Sequence, residues 1–300
     1  PSEKSFIRFL GGFDYMDFKD DIWEKPGYDK SHIDDATGRR KGRAFLYPVD
    51  ALSANANLTY TYLWDIDEKN HFNFLVGTEY QYSRTLRGDG YENQDASAPI
   101  TESNDWSNDP SVRTDEWGLV SLFGRINYNF KGKYFAEALL RTDGSSKFGE
   151  NYKYGFFPAI SAGWIISEED FFSSSWLTFW KLKGSYGKTG NSNFQNYQTY
   201  SEYQRSNNGY NGEPYIYPIR RNNPNLRWES VTTVDVAMEF GMWNDRLTGE
   251  MGYYNKVTND MLLYVTLQKS TGFGNWWDNV GSAFNRGIEL RLQSRNIVGG

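Results

Sequence analysis

The chain has 300 residues, 18% of them aromatic (22 Tyr, 20 Phe, 11 Trp), with 29 Gly, no Cys and a net charge of −6. Absence of cysteine excludes a disulfide scaffold and most zinc sites, and the dispersed charge offers no basic stripe for nucleic acid. Mean hydropathy is −0.72, yet a membrane barrel that alternates lipid-facing apolar with lumen-facing polar residues also averages to a polar chain.

Residues 5–15 read as a first strand, with Ile7, Phe9, Gly11, Phe13 and Tyr15 on one face. A polar stretch from 16 to 54 follows and is expected to be a loop; its basic cluster (Arg39, Arg40, Lys41, Arg43) reads as a solvated face. In the next strand Ala56, Leu58, Tyr60, Tyr62, Trp64 and Ile66 alternate with a mostly polar set, and Asp67-Glu68-Lys69-Asn70 turns the chain. Phe72, Phe74, Val76, Tyr80 and Tyr82 then share a face, and 85–115 reads as a long loop carrying Tyr91 and Trp106.

Three strands follow in close succession. Leu122, Gly124, Ile126, Tyr128 and Phe130 form one face of the first, and Phe130-Lys131-Gly132-Lys133 turns back into 134–141. After Asp143-Gly144-Ser145-Ser146 a third strand reaches Ile166, with Phe156, Ile160, Ala162, Trp164 and Ile166 on one face. Strands of about ten residues or more are long for a globular sheet and suit a tilted bilayer crossing. Ser167 with Asp170 has the spacing of a short helical cap; the neighbouring carboxylates read as a cap or solvated turn, not as an acid/base pair.

Beyond it, Trp180, Leu182, Gly184 and Tyr186 oppose Lys181, Lys183 and Ser185. Gly187-Lys188-Thr189 has the ending of a phosphate-binding loop, but position 182 is Leu where that motif needs Gly. Residues 190–227 read as the longest loop, rich in Tyr. Val234, Val236, Met238, Phe240 and Met242 then alternate with polar residues, 243–246 is a tight turn, and Leu247, Gly249, Met251 and Tyr253 return. A loop at 258–283 leads to Ile288, Leu290 and Leu292. Short and long connections alternate along the roughly ten strands, so every long one falls on one side of the sheet. Short periplasmic turns with long outer loops characterise bacterial outer-membrane barrels, and the fold class is accordingly all-β, a segment of an antiparallel transmembrane barrel.

Arg141-Thr142-Asp143-Gly144-Ser145-Ser146-Lys147-Phe148-Gly149, Gly155 to Trp164, Lys183 to Asn191, Asn223-Pro224-Asn225-Leu226-Arg227-Trp228-Glu229, Tyr253 to Leu263 and Asn285 to Leu290 resemble the SusC/RagA family of TonB-linked outer-membrane transporters. The resemblance runs from about Leu58 to Arg295. It implies a Gram-negative outer-membrane location, import of oligosaccharides, peptides or other large nutrients, a periplasmic TonB complex as driver and a SusD-like surface lipoprotein over the barrel mouth. It implies no enzyme activity and no cofactor. About ten strands is under half of the ~22 of a plugged transporter barrel, so residues 1–300 are expected to be part of one barrel domain, with Pro1 and Gly300 as cut ends and without plug or N-terminal extension. Competing readings are a non-transport outer-membrane barrel (adhesin or enzyme) and a soluble all-β glycan-binding domain. With only His32 and His71 present, His-based nucleophilic catalysis has little to work with. No catalytic or metal constellation stands out. The candidate substrate contacts are loop aromatics: Trp106, Tyr210, Tyr215, Tyr217, Trp276 and Trp277.

Overall fold

The computed structural model describes residues 4–24, 43–88, 91–93, 112–206, 209 and 213–296. Ten strands follow one another as hydrogen-bonded neighbours: β1 (Ser5–Glu24), β2 (Arg43–Asp65), β3 (Asn70–Gly88), β5 (Val112–Phe130), β6 (Tyr134–Ser145), β7 (Tyr154–Ile165), β8 (Leu177–Asn191), β11 (Glu229–Met242), β12 (Leu247–Asn259) and β15 (Ser282–Ser294). A short β4 (Tyr91–Asn93) pairs with β2. Two separate hairpins are β9 (Glu202–Ser206) with β10 (Tyr215–Arg220) and β13 (Leu262–Thr266) with β14 (Asn275–Asn279). The path ends at β1 and β15, which do not pair with each other among the described residues. Among those residues there is no α-helix, and no helix is long and apolar enough to cross a membrane.

Two compact units are present. One comprises 1–10, 57–80 and 119–300; the other comprises 11–56 and 81–118. In the second, Asn55 packs against Gly12 and Pro48 against Gly88, and the Tyr15 hydroxyl donates to Asp50 at 3.5 Å.

In the first unit cross-strand register makes the alternation of the sequence into two surfaces. Antiparallel partners share a face, and one row reads Tyr128, Ala136, Ala162, Gly184, Val236, Tyr253, Ile288. The next reads Phe130, Tyr134, Trp164, Leu182, Met238, Met251, Leu290. This apolar face is open to the surroundings: Val236 is 56% and Ile288 72% exposed, and in the adjacent row Ile126 is 46% and Ile160 59% exposed. The opposite face carries Asn127, Glu137, Ser161, Ser185 and Asp235 in one row. A soluble sandwich would bury the apolar face; here it is the outer one.

The short turns are built for strand reversal. Lys131 and Gly132 both have positive φ (55° and 67°), and the Lys133 N–H closes on the Phe130 carbonyl at 3.0 Å, as a two-residue hairpin requires. Trp243, Asn244 and Asp245 also lie in the left-handed region. Asp67 accepts the Lys69 and Asn70 N–H groups at 2.8 Å each.

Several expected boundaries shift. The described parts of the predicted loop at 16–54, namely 16–24 and 43–54, are strand; the reading missed them because the apolar phase moves from odd residues up to Tyr15 to even residues from Met16, and Pro48 and Asp50 break the pattern in β2. The predicted loop at 85–115 gives way to β3 as far as Gly88 and β5 from Val112. β8, β11, β12 and β15 each extend into polar sequence such as Gly187–Asn191 and Ser282–Gly287, held by register and not by apolar alternation. The short helical turn near 167 exists as a 3₁₀ turn, Ile166–Glu168, but Ser167 does not cap it: the N-cap is Ile165 with no side-chain cap bond, and Ile166, expected on the strand face with Trp164, is instead buried in this turn because β7 ends at Ile165.

Candidate functional site

The described barrel wall presents three distinct surfaces. Its outer face ends, at the short-turn side, in a chain of rings. Trp64–Phe72 (5.8 Å), Phe72–Tyr128 (4.5 Å), Tyr128–Phe130 (6.4 Å), Phe130–Tyr134 (5.9 Å), Tyr134–Trp164 (6.2 Å) and Trp164–Phe171 (6.4 Å) run ring to ring. Exposed Trp176 and Trp243 lie at the same side. Aromatic rings with a polar tip favour the membrane interface. On β7, Trp164 and the 68%-exposed Tyr154 are ten residues apart. At ~3.3 Å per residue and a ~40° tilt this is about 25 Å of height, the expected apolar band. The sequence reading did not assemble this girdle, because its members come from five strands and the turn after β7.

Glu169 anchors it from the turn after β7. Its carboxylate takes the Trp164 indole N–H at 2.9 Å and the Tyr134 hydroxyl, with Lys133 at 3.7 Å. These contacts, the Tyr134 hydroxyl first, hold Glu169 below the ordinary glutamate range.

The inner face is polar and charged. Lys183 Nζ reaches Glu239 at 2.7 Å and Glu250 at 2.5 Å, so one cation serves two carboxylates that sit directly opposite across β11 and β12. Asn127, Glu137, Ser161, Lys181, Ser185 and Asp235 line an open concavity of about 560 Å³ beside it. Toward the long-loop side Arg141 bonds Asp143 at 2.7 Å, Glu79 at 3.0 Å and the Ser121 hydroxyl at 2.9 Å. This fixes the start of the turn that continues to Gly149.

The third surface is the loop cluster. Phe148, Phe157, Phe194, Leu226, Trp228 and Leu262 form a small core, with Leu119 and Trp277 packed against it. Leu226 is fully buried. Gly149 is required by close approach: its N–H donates to the Leu226 carbonyl at 3.0 Å, and a Cβ there would run into the Pro224 carbonyl. Asn279 ties the loops together, accepting the Arg227 N–H at 2.8 Å and donating to the Arg227 and Asp260 carbonyls at 2.8 and 2.9 Å.

The six candidate contact residues separate within this picture. Trp106 and Tyr210, with the basic cluster at 39–41 and His32, lie outside the described residues. Tyr215 and Tyr217 share one face of the β9–β10 hairpin with rings 5.4 Å apart, and the Tyr217 hydroxyl donates to Gln204 at 2.8 Å. Trp277 packs on Phe194 (5.9 Å) and Tyr264 (5.6 Å) and belongs to the loop core. Trp276 points to the other face of β14, opposite Val265. Among the described candidates, only Tyr215 and Tyr217 are brought together; Trp276 and Trp277 lie on opposite faces of β14. No group of acidic or imidazole side chains suited to a metal occurs among the described residues.

An outward apolar face, a charged inner face, an aromatic girdle and loops collected at one side define a segment of an outer-membrane β-barrel. More specifically, the chain belongs to the TonB dependent receptor-like, beta-barrel family, whose model matches residues 5–298. It is 35% identical over 96% of its length to TonB-dependent receptor P26 of Formosa agariphila, covering 31% of that protein. It is 31% identical over 76% of its length to TonB-dependent receptor SusC of Bacteroides thetaiotaomicron, covering 24% of it. Among solved structures, it superposes on the RagAB peptide transporter with a TM-score of 0.85 and 26% identity, covering 98% of this chain and 32% of that one. The chain thus spans about a third or less of the relatives it matches. It is an outer-membrane receptor barrel and not an enzyme, and the soluble glycan-binding reading falls.

Proposed function

We propose that this chain supplies wall and outer loops to a TonB-dependent importer of large nutrients, oligosaccharide or peptide, that works with a SusD-like surface lipoprotein. In this reading residues 1–300 belong to one barrel domain, and gating and energy coupling fall to other parts of the receptor. The observation that carries it is the two-faced wall: apolar rows outside, and inside a charged surface wide enough to leave about 560 Å³ of open concavity below loops held in one cluster. The similarity to SusC and to the RagAB peptide transporter supports the nutrient class.

Contact with ligand falls to loop aromatics, because flat rings give apolar area at low entropy cost. Tyr215 and Tyr217 are the strongest of these: they stand in a hairpin outside the loop core, and Tyr215 is 46% exposed. Trp106, Tyr210 and Trp276 remain candidates, whereas Trp277 contributes mainly through packing. The experiment replaces Tyr210, Tyr215 and Tyr217 by Ala in the complete receptor, then measures uptake of labelled oligosaccharide and peptide mixtures and retention of the lipoprotein. Reduced uptake with normal membrane abundance is expected; unchanged uptake and retention would remove the 190–227 segment from the binding surface.

A further inference from the structure

The wall is not evenly sealed. β6 and β7 stay paired as far as Gly144 opposite Tyr154, and β8 and β11 as far as Asn191 opposite Glu229. The β7–β8 ladder between them stops at Ala159 opposite Gly187. Beyond that rung, towards the long loops, each strand runs on with one edge released, and a wedge opens. Phe157 (6% exposed) and Trp228 (9%) fill its base, their rings edge to face at 5.4 Å. Gly155 and Gly190 leave room for the Phe157 ring, which a Cβ on either would strike.

Over these two rings the wedge holds a groove of about 380 Å³, and its outward rim carries Tyr154, Phe156 and Lys188, which share the parity of the exposed Ile160 and Tyr186. Tyr154 (68% exposed) and Phe156 (58%) form its apolar wall, and Lys188 lies across from them on β8. Among the described residues the Lys188 ammonium has no carboxylate partner. Arg227 enters from the loop cluster. It pairs with Asp260 at 2.9 Å and lies over the Tyr152 ring at 5.5 Å, while its Nε is buried without a partner.

Two cations against one carboxylate leave a net positive charge on a surface that faces lipid. Released strand edges there also lack ladder partners, which hydrocarbon cannot replace. An oxygen-rich anion answers the cations and the edge N–H groups, since phosphate accepts several charge-assisted bonds at once. We propose that the wedge binds the phosphorylated headgroup of an outer-leaflet glycolipid, whose acyl chains lie along Phe156 and the 59%-exposed Ile160. The competing account is a lysine that only snorkels to water.

The test uses the complete receptor, purified in mild detergent, with native mass spectrometry reading retained lipid. The probes are lipid A carrying its phosphate and the same lipid dephosphorylated. The wild-type protein is expected to retain the phosphorylated form about tenfold better, as loss of one charge-assisted contact implies. Lys188→Gln should abolish that preference while Lys188→Arg preserves it, both with normal heat-modifiable migration. Equal retention of the two lipids by the wild-type receptor overturns the proposal without recourse to any variant. So does full preference in Lys188→Gln, which would leave the lysine to water.

Discussion

The side-chain amide of Asn223 donates to the main-chain carbonyl of Trp277 at 3.0 Å, joining two loops 54 residues apart in sequence. The bond belongs to the same cluster in which Trp277 meets Phe194 and Phe148 meets Trp228 at 4.5 Å. Trp277 is therefore held by its backbone and its ring at once, which makes it a structural residue of the loops.

Truncating the centre of that cluster should free all three loops together. Trp228→Ala removes a ring that touches Phe148 and Phe157 and loses its indole bond to the Lys153 carbonyl. A cost of about 3–5 kcal/mol is expected for a core aromatic. Protease applied to intact cells should then cut within 146–153, 192–228 and 260–281, while the wild type resists; cleavage confined to one loop would argue against a shared core.

Face matters more than residue type on the strands. Ile126→Arg, on the outer face, should cost about 2–4 kcal/mol at mid-bilayer depth and lower receptor abundance in the membrane. Ser161→Arg, on the inner face beside Glu137 and Ser185, should leave abundance near wild type. Quantitative blotting of outer-membrane fractions distinguishes them, and equal loss for both would contradict the assigned faces.

Lys183 separates two carboxylates that would otherwise repel. Lys183→Met leaves Glu239 and Glu250 directly opposite, a like-charge pair on a partly solvated wall. The destabilisation should be about 1 kcal/mol, moderated by solvent. Adding Glu239→Gln should restore most of it, and thermal unfolding of the single and double variants measures the recovery.

The Glu169 anchor has a pH signature. Its carboxyl is held below the ordinary glutamate range in the folded receptor, so its stabilising contribution is complete at neutral pH and is lost as pH falls through the folded value. Acidification should loosen the Trp164 ring and shift its fluorescence at a pH below that of a free glutamate. Glu169→Gln should flatten this transition, and an unchanged titration would detach Glu169 from the girdle.

Much of this was legible in the residues because lipid imposes one rule on every crossing strand. Leu122 to Phe130 and Val234 to Met242 show clean alternation since one face meets hydrocarbon and the other water. Polar segments such as Gly187–Asn191 and Ser282–Gly287 carry no such contrast, and their strands became visible only through pairing with Glu229–Thr233 and Tyr254–Asn259. The two hairpins inside the long loops escaped for a similar reason: Glu202–Ser206 and Leu262–Thr266 are too short for periodicity to register. The loop core escaped because its members are single aromatics spaced far apart, and sequence proximity gives no hint that Phe148, Phe194 and Trp228 meet. Tyr215 and Tyr217 could be singled out by composition alone, but their shared face follows from the register with Gln204 and Ser206.

The buried cluster around Leu226 also sets the thermodynamic character of the mouth. Loops of this length would ordinarily surrender conformational freedom when they close on a ligand, and that entropy would be deducted from affinity. The segments that meet in this cluster are already ordered when the barrel folds, so under the proposed function their part in selectivity would rest on a preset outline more than on adaptive wrapping. Weakening the cluster should therefore broaden the range of molecules admitted while lowering the affinity for each.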